Sequence, residues 1–356
     1  MELYTNGKLY INGKIEELQM LVNNGVIQKI AKKIDVLANV IDLQGKTVYP
    51  AFFDEHIHGA YGVDFTIANK EQILHCLKKL KTDGVGSIFA TLMSDDIEVL
   101  IRQIRILKEV SKENSLIKGI HLEGPFLSKQ FKGAMPEKYL LNPSVKIAKT
   151  LLDVGEGLVK LITVAPELEG AEELIKFLAS QSVMVNLGHS DATLDEAKQG
   201  LKWGADGFTH TFNAMRPLDR KEPGILGCAL TQDSYAEIIP DGKHVHQDLV
   251  NMLFKLKGVE RTIIITDAIM ASGLKDGNYK LGNMDVEVSG EDAYILGTKT
   301  RAGSTIKAYM AVEKFAQMCD IPYNTALLMM TKTPASRHKI NTGEIKEGYL
   351  AEFNIK

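Results

Sequence analysis

No run of about 18 apolar residues occurs in this sequence, so a membrane-spanning helix is not expected. Cysteine is scarce. Cys76, Cys228 and Cys319 make three in 356 residues, too few for a disulfide framework, and no C-x-x-C pair is present to hold a metal through thiolates. That usage suits a reducing compartment, and a cytoplasmic location is expected. The opening residues, Met1 to Lys8, lack a basic start followed by an apolar core, so no secretory leader is expected. Neither sign of charge dominates: 42 lysines and arginines against 45 aspartates and glutamates give a net charge of −3. A protein whose main partner is a nucleic-acid backbone would carry a basic excess, so that class is set aside. There is no Pro/Ser-rich linker, no low-complexity tract, no short repeat and no G-x-x-x-x-G-K-S/T phosphate loop. Gly84-Val85-Gly86-Ser87 is too short a glycine pattern for a nucleotide site.

What is present is an ordinary globular composition, 45% hydrophobic and 24% charged. At ~150 residues per domain the length suggests two domains, or one large barrel with an appendage. Residues 1–49 read as short strands punctuated by Asn6-Gly7, Asn12-Gly13 and Asn24-Gly25, dipeptides typical of hairpins. From residue 50 apolar runs of strand length alternate with amphipathic segments of helix length. Eight strands are predicted: 51–56, 85–91, 117–123, 161–165, 183–188, 207–211, 236–240 and 262–266. They are apolar on nearly every residue, the pattern of strands buried on both faces. Eight such units predict an α/β protein, a closed (β/α)8 TIM-type barrel over residues 50–335. A hairpin interrupts the last unit at about residues 279–295. The tail from Gly348 to Lys356 reads as a strand that rejoins the N-terminal unit. Residues 1–49 and 336–356 would then form one small discontinuous β-sandwich domain.

The chemistry-bearing residues fall at strand ends. His56 and His58 end the first strand, Glu123 the third, His189 the fifth, His210 the sixth and Asp267 the eighth. In such a barrel the C-terminal strand ends converge on the active site. Imidazole and carboxylate are ligands for zinc, iron and related divalent ions. H-x-H on a strand puts both rings on one face, because the strand period is two. Singly, each has a plainer reading: a polar contact for His189 or His210, an ion pair for Glu123, a helix cap for Asp267. His121, two residues before Glu123, fits either a core role or a hydrogen bond to a ligand. His244 follows the seventh strand and suits a substrate contact, His246 less so. His75 and His338 read as surface residues.

In order along the chain, Asp54-Glu55-His56-Ile57-His58-Gly59, His121-Leu122-Glu123-Gly124-Pro125-Phe126, Gly188-His189-Ser190, His210-Thr211-Phe212-Asn213-Ala214-Met215, Glu222-Pro223-Gly224, Asp241-Gly242-Lys243-His244-Val245 and Thr266-Asp267-Ala268 resemble the motifs of the N-acetylglucosamine-6-phosphate deacetylase family of the amidohydrolase superfamily. The resemblance implies hydrolysis of the acetamide of N-acetylglucosamine 6-phosphate to glucosamine 6-phosphate and acetate, with one or two divalent ions, zinc or iron, per subunit. Glu123 would stand in for the bridging carbamylated lysine of other superfamily members. His56 and His58 would hold one ion and His189 and His210 the other, with Asp267 a further ligand and the group that moves the proton. Ala134, Asn213, Ala214, His244 and Ala302 would contact the substrate. Lys221 would reach the phosphate in a neighbouring subunit of a homodimer. Met135 stands where the family leads one to expect histidine, Arg301 where an apolar residue is usual, and Arg216 where a small residue or proline is common. These departures keep open an alternative substrate, N-acetylgalactosamine 6-phosphate or a related acetylated sugar phosphate, and a non-catalytic metal-dependent sensor. A ring-opening amidohydrolase would need a carbamylated lysine where Glu123 stands.

Overall fold

The computed structural model describes residues 1–356. Eight strands lie side by side in sequential order: Phe52–Ile57, Val85–Met93, Ile117–Glu123, Val159–Val164, Met184–Leu187, Gly207–Phe208, Tyr235–Ile238 and Thr262–Ile264. All neighbouring pairs are parallel. The first two are buried along their whole length, as expected of strands with side chains on one face inside a barrel and helices over the other. The predicted strands are all present, the sixth cut to two residues.

The first and eighth strands close the ring through the residues that follow them. The Asp267 amide donates to His56 O at 2.9 Å, and the His58 and Gly59 amides donate to Ala268 O at 2.9 and 3.0 Å. Buried Asp54 reinforces this seam by accepting from Thr266 Oγ1 at 2.5 Å. Lower in the barrel a different segment fills the gap, because Phe53 N donates to Met330 O and Ile264 N to Met329 O. Closure therefore sets His56, His58 and Asp267 together before any ligand is considered.

The covering helices follow their sequence patterns. Ile97–Glu113 buries Leu100, Ile101, Ile104, Leu107 and Val110, the three-and-four spacing of one helix face. Lys70–Thr82 and Leu194–Trp203 begin with capping boxes at Asn69/Gln72 and Thr193/Glu196, which satisfy otherwise orphaned amides. Gly224–Thr231 buries every residue but the last, so it carries no amphipathic signal.

Residues from both termini build two four-stranded sheets, one of them placing Phe353–Ile355 beside Thr47–Pro50. Tyr4, Leu9, Met20, Ile27 and Val48 pack between them. Asn12-Gly13 and Asn24-Gly25 form the expected two-residue hairpins, with positive φ at all four positions. Asn6-Gly7 does not. The strands on either side of it belong to different sheets, and the glycine is needed because a Cβ there would lie 2.5 Å from Leu43. The expected hairpin near 279–295 is a three-stranded antiparallel sheet, Gly277–Leu281, Met284–Ser289 and Asp292–Ile295. Leu281, Val286 and Ala293 pack with Met93, Leu127 and Met135, so the sheet walls one side of the barrel mouth.

His338 is not a surface residue. It is almost completely buried, with Nε2 2.8 Å from Glu55 Oε2. Arg337 beside it donates to Glu55 at 2.7 Å, to Asn186 at 2.6 Å and to Asp206 at 2.8 Å. Residues on the far side of the expected 335/336 boundary thus penetrate the barrel floor.

Candidate metal centre

His56 and Glu123 reach the mouth from within their strands, whereas three of the other strand-end residues do so by an abrupt change of backbone direction. His189, His210 and Asp267 have φ of 47°, 30° and 49°, the left-handed region that side chains other than glycine seldom occupy. Such strain persists where surrounding structure over-determines it, commonly at functional sites. The hydrogen bonds Ser128 N to His189 O, Thr211 N to Glu237 O and Ser304 N to Asp267 O hold these turns.

The result is two clusters of three ligand atoms: His56, His58 and Asp267 in one, Glu123, His189 and His210 in the other. Glu123 faces both. Its Oε1 lies 3.1 Å from His189 Nε2 and 2.9 Å from His210 Nε2, and its Oε2 lies 3.0 Å from His58 Nε2. Asp267 Oδ1 is 3.4 Å from His56 Nε2 and 3.2 Å from His58 Nε2. Burial alone would push Glu123 and Asp267 up, but the neighbouring imidazoles outweigh it and hold both carboxyls low, well below the ordinary range for Glu123. Both therefore present carboxylates.

These residues fit a divalent cation. His56 Nε2 is buried without a hydrogen-bond partner, while its Nδ1 faces Glu237 Oε2 at 3.1 Å. His189 Nδ1 faces Phe131 O at 2.9 Å. A ring that donates from Nδ1 keeps a lone pair on Nε2, the form that ligates metal. His189 Nε2 and His210 Nε2 converge to 3.1 Å, and both face Glu123 Oε1, a convergence of ligand atoms that a shared cation suits. Two carboxylates beside four imidazoles are a donor set for zinc or iron chemistry.

Sequence reasoning missed Glu237. This acid sits in the middle of an apolar strand, and its buried position was the signal. Its Oε1 accepts from Asn186 Nδ2 at 2.7 Å, and its Oε2 from the His210 amide at 3.2 Å. Burial pushes its pKa up to about 7 despite His56. His121 is buried beneath the two clusters, with Nε2 2.8 Å from Thr163 Oγ1 and its ring 4.6 Å from that of His56. Burial holds it well below its usual value, so it is a neutral prop.

The centre opens into a pocket of about 210 Å³ lined in part by Ala134, Met135, Asn213, Ala214, His244 and Arg301. His244 Nδ1 is 2.6 Å from Asp241 Oδ2, which leaves Nε2 as its remaining polar atom. His246 is exposed and caps the next helix. One expected contact lies elsewhere: Ala302 is fully buried in the apolar cluster behind the pocket wall. Lys221, expected to act in a neighbouring subunit, is exposed on a loop outside this chain's own pocket. Arg216 is likewise outside, paired with Asp191 at 2.8 Å.

The amidohydrolase family profile matches residues 47–356. The chain is 32% identical to N-acetylglucosamine-6-phosphate deacetylase of Lysinibacillus sphaericus over 97% of its length and 90% of the relative's. It is 34% identical to the Bacillus subtilis protein of the same name, over 86% and 77%. Among solved structures it resembles N-acetyl-D-glucosamine-6-phosphate deacetylase of Mycobacterium smegmatis in complex with N-acetyl-D-glucosamine-6-phosphate, with a TM-score of 0.92 and 31% identity over 99% of this chain and 94% of the other.

Proposed function

Because this chain belongs to the amidohydrolase family, and within it to the N-acetylglucosamine-6-phosphate deacetylases, we propose that its barrel mouth carries out that reaction with Asp267 as the group that moves the proton. The enzyme hydrolyses the acetamide of N-acetylglucosamine 6-phosphate, giving acetate and glucosamine 6-phosphate. The observation that carries the assignment of roles is the placement of Glu123 between two histidine-containing clusters.

His56, His58 and Asp267 would hold one divalent ion and His189 and His210 a second, with Glu123 shared between them. Zinc and iron suit these donors. A divalent ion bound there supplies Lewis acidity, which makes hydroxide available near neutral pH and polarises the acetyl carbonyl. Asp267 is ionised and lies at the pocket, so it can accept the proton of the attacking water. It then returns that proton to the departing nitrogen. An amine leaves poorly unless protonated, so the same carboxyl serves as base and then as acid. Asn213, Ala214, Ala134 and His244 line the space for the sugar phosphate. Asn213 and His244 bring side-chain polar atoms to it, the kind of group that fixes a ligand's orientation.

The test is acetate release from N-acetylglucosamine 6-phosphate and its galacto epimer by protein of known metal content. Turnover of the gluco compound that disappears on chelation and returns with zinc or iron supports the reading. Metal-loaded protein without turnover on either sugar would refute it and favour a sensor.

A further inference from the structure

Beneath the metal clusters the barrel holds a second set of buried charges that no step of the reaction uses. Arg337 is at its centre, its side chain fully buried. It ends the short helix Lys332–Arg337 and enters the barrel from the floor. Its Nη1 donates to Glu55 Oε1 at 2.7 Å, and its Nε and Nη2 clasp the two carboxylate oxygens of Asp206 at 3.2 and 2.8 Å. These two ion pairs already compensate the buried guanidinium. A third contact, from Nη2 to Asn186 Oδ1 at 2.6 Å, leads up towards the ligands.

That third contact has only one sense. A guanidinium carries donors and no acceptor, so Asn186 turns its oxygen to Arg337. The amide nitrogen then faces Glu237 and donates to Oε1 at 2.7 Å. Glu237 Oε2 is left for His56 Nδ1 at 3.1 Å and the His210 amide at 3.2 Å. One carboxylate thereby holds the ring of a ligand in one cluster and the backbone of a ligand in the other. With the Asn186 amide reversed, its nitrogen would face the donors of Arg337 and its oxygen the carboxylate. The series Arg337, Asn186, Glu237, His56 is therefore directional. It ends with the proton of His56 on Nδ1 and the lone pair of Nε2 towards the cluster. Gly207 makes room for it, because a Cβ there would collide with Asn186 Oδ1 and lie 2.7 Å from Arg337 Nη2.

We propose that Arg337 is a positioning residue for the metal centre, acting through Asn186 and Glu237 to hold His56 in the tautomer and orientation that ligate a divalent ion. The proposal rests on the reading of the barrel mouth as a metal centre. It extends control of metal affinity to a residue of the barrel floor that hydrogen-bonds to none of the six ligand residues.

The experiment measures zinc affinity by chelator competition, and the thermal midpoint, for the wild type, Arg337→Lys, Asn186→Leu, the double variant and Asp206→Asn. Arg337→Lys keeps the charge but lacks the fork that serves Glu55, Asp206 and Asn186 together. Asn186→Leu cuts the series at similar volume and leaves both ion pairs of Arg337 in place. Each of these two variants weakens zinc binding roughly tenfold, the lower end of the loss expected when a ligating histidine loses its hydrogen-bonded support. The double variant is no weaker than the weaker single, because both changes break one path. Asp206→Asn lowers the thermal midpoint and keeps zinc affinity close to that of the wild type. Unchanged zinc affinity in folded Asn186→Leu would overturn the proposal, whether or not Arg337→Lys folds. Losses that multiply in the double variant, or a loss in Asp206→Asn as large as that in Arg337→Lys, would also overturn it, since a general loosening of the floor would then be the cause. Wild-type protein that binds no divalent ion refutes the metal-centre reading and the proposal with it. Wild-type protein that binds zinc but releases no acetate refutes only the deacetylase reading, and the affinities still decide on Arg337.

Discussion

Glu237 Oε2 lies 3.1 Å from His56 Nδ1, and both side chains are fully buried. The carboxylate fixes the ring so that Nε2 points at Asp267 and Glu123. Behind Glu237 the chain of contacts runs through Asn186 to Arg337. Glu237→Gln preserves shape but removes the charge and reverses one end of the pair with Asn186. Metal affinity is expected to fall roughly 10- to 100-fold, the usual effect of losing a partner of a ligating histidine. Chelator competition on the folded variant measures it; unchanged affinity would reduce Glu237 to packing.

Asp267→Asn is expected to abolish turnover by roughly 100-fold or more, the scale of general acid–base catalysis, while most of the metal is retained. Four histidines and Glu123 remain as donors. Elemental analysis alongside acetate release separates the two roles, and near-normal kcat in a metal-loaded variant would remove Asp267 from proton transfer.

The two clusters can be told apart by stoichiometry. His58→Ala should lower metal content through one cluster and His189→Ala through the other, each with loss of activity. Loss of a single equivalent in each variant, from a wild type holding two, is the binuclear outcome. If neither variant loses metal, the assignment of ligands is wrong.

Lys257 offers a pH test far from the site. Its buried ammonium donates to Gln232 O at 2.6 Å and Ser234 Oγ at 3.0 Å, yet burial lowers its pKa from 10.5 to about 8. Between those values the unfolded chain binds the proton and the folded chain does not, so this group makes stability rise with pH across that window. Below about 8 its full penalty applies, on the order of 3 kcal/mol at most. Lys257→Met removes the titrating group. The stability of the variant relative to wild type should therefore be greatest near pH 7 and decline towards pH 10.5. Denaturant midpoints across this range check it, and a pH-independent difference would show that Lys257 titrates normally.

How much of this was legible beforehand depends on whether the signal is local. Strands buried on both faces announce themselves as apolar runs, and the first and third strands fall where those runs do. The H-x-H spacing places two rings on one face by the period of a strand alone. Because parallel strands deliver their C-terminal ends to one rim, the four imidazoles and two carboxylates at those ends are expected to gather there from the strand pattern alone. The sequence by itself thus determined the barrel, its mouth and the gathering of four imidazoles and two carboxylates there. The tertiary structure decided what lies across the barrel. His338 reads as a surface residue, but the fold drives it, with Arg337, into the floor against Glu55. Glu237 looks like an interruption in a strand and is the partner of a ligand. Ala302 faces the apolar cluster while its neighbour Arg301 lines the pocket. A side chain's direction at a barrel end depends on register, on left-handed turns such as that at Asp267 and on the sheet packed over the mouth. None of these is set by residues near in sequence, because each is fixed by hydrogen bonds and packing between segments tens to hundreds of residues apart.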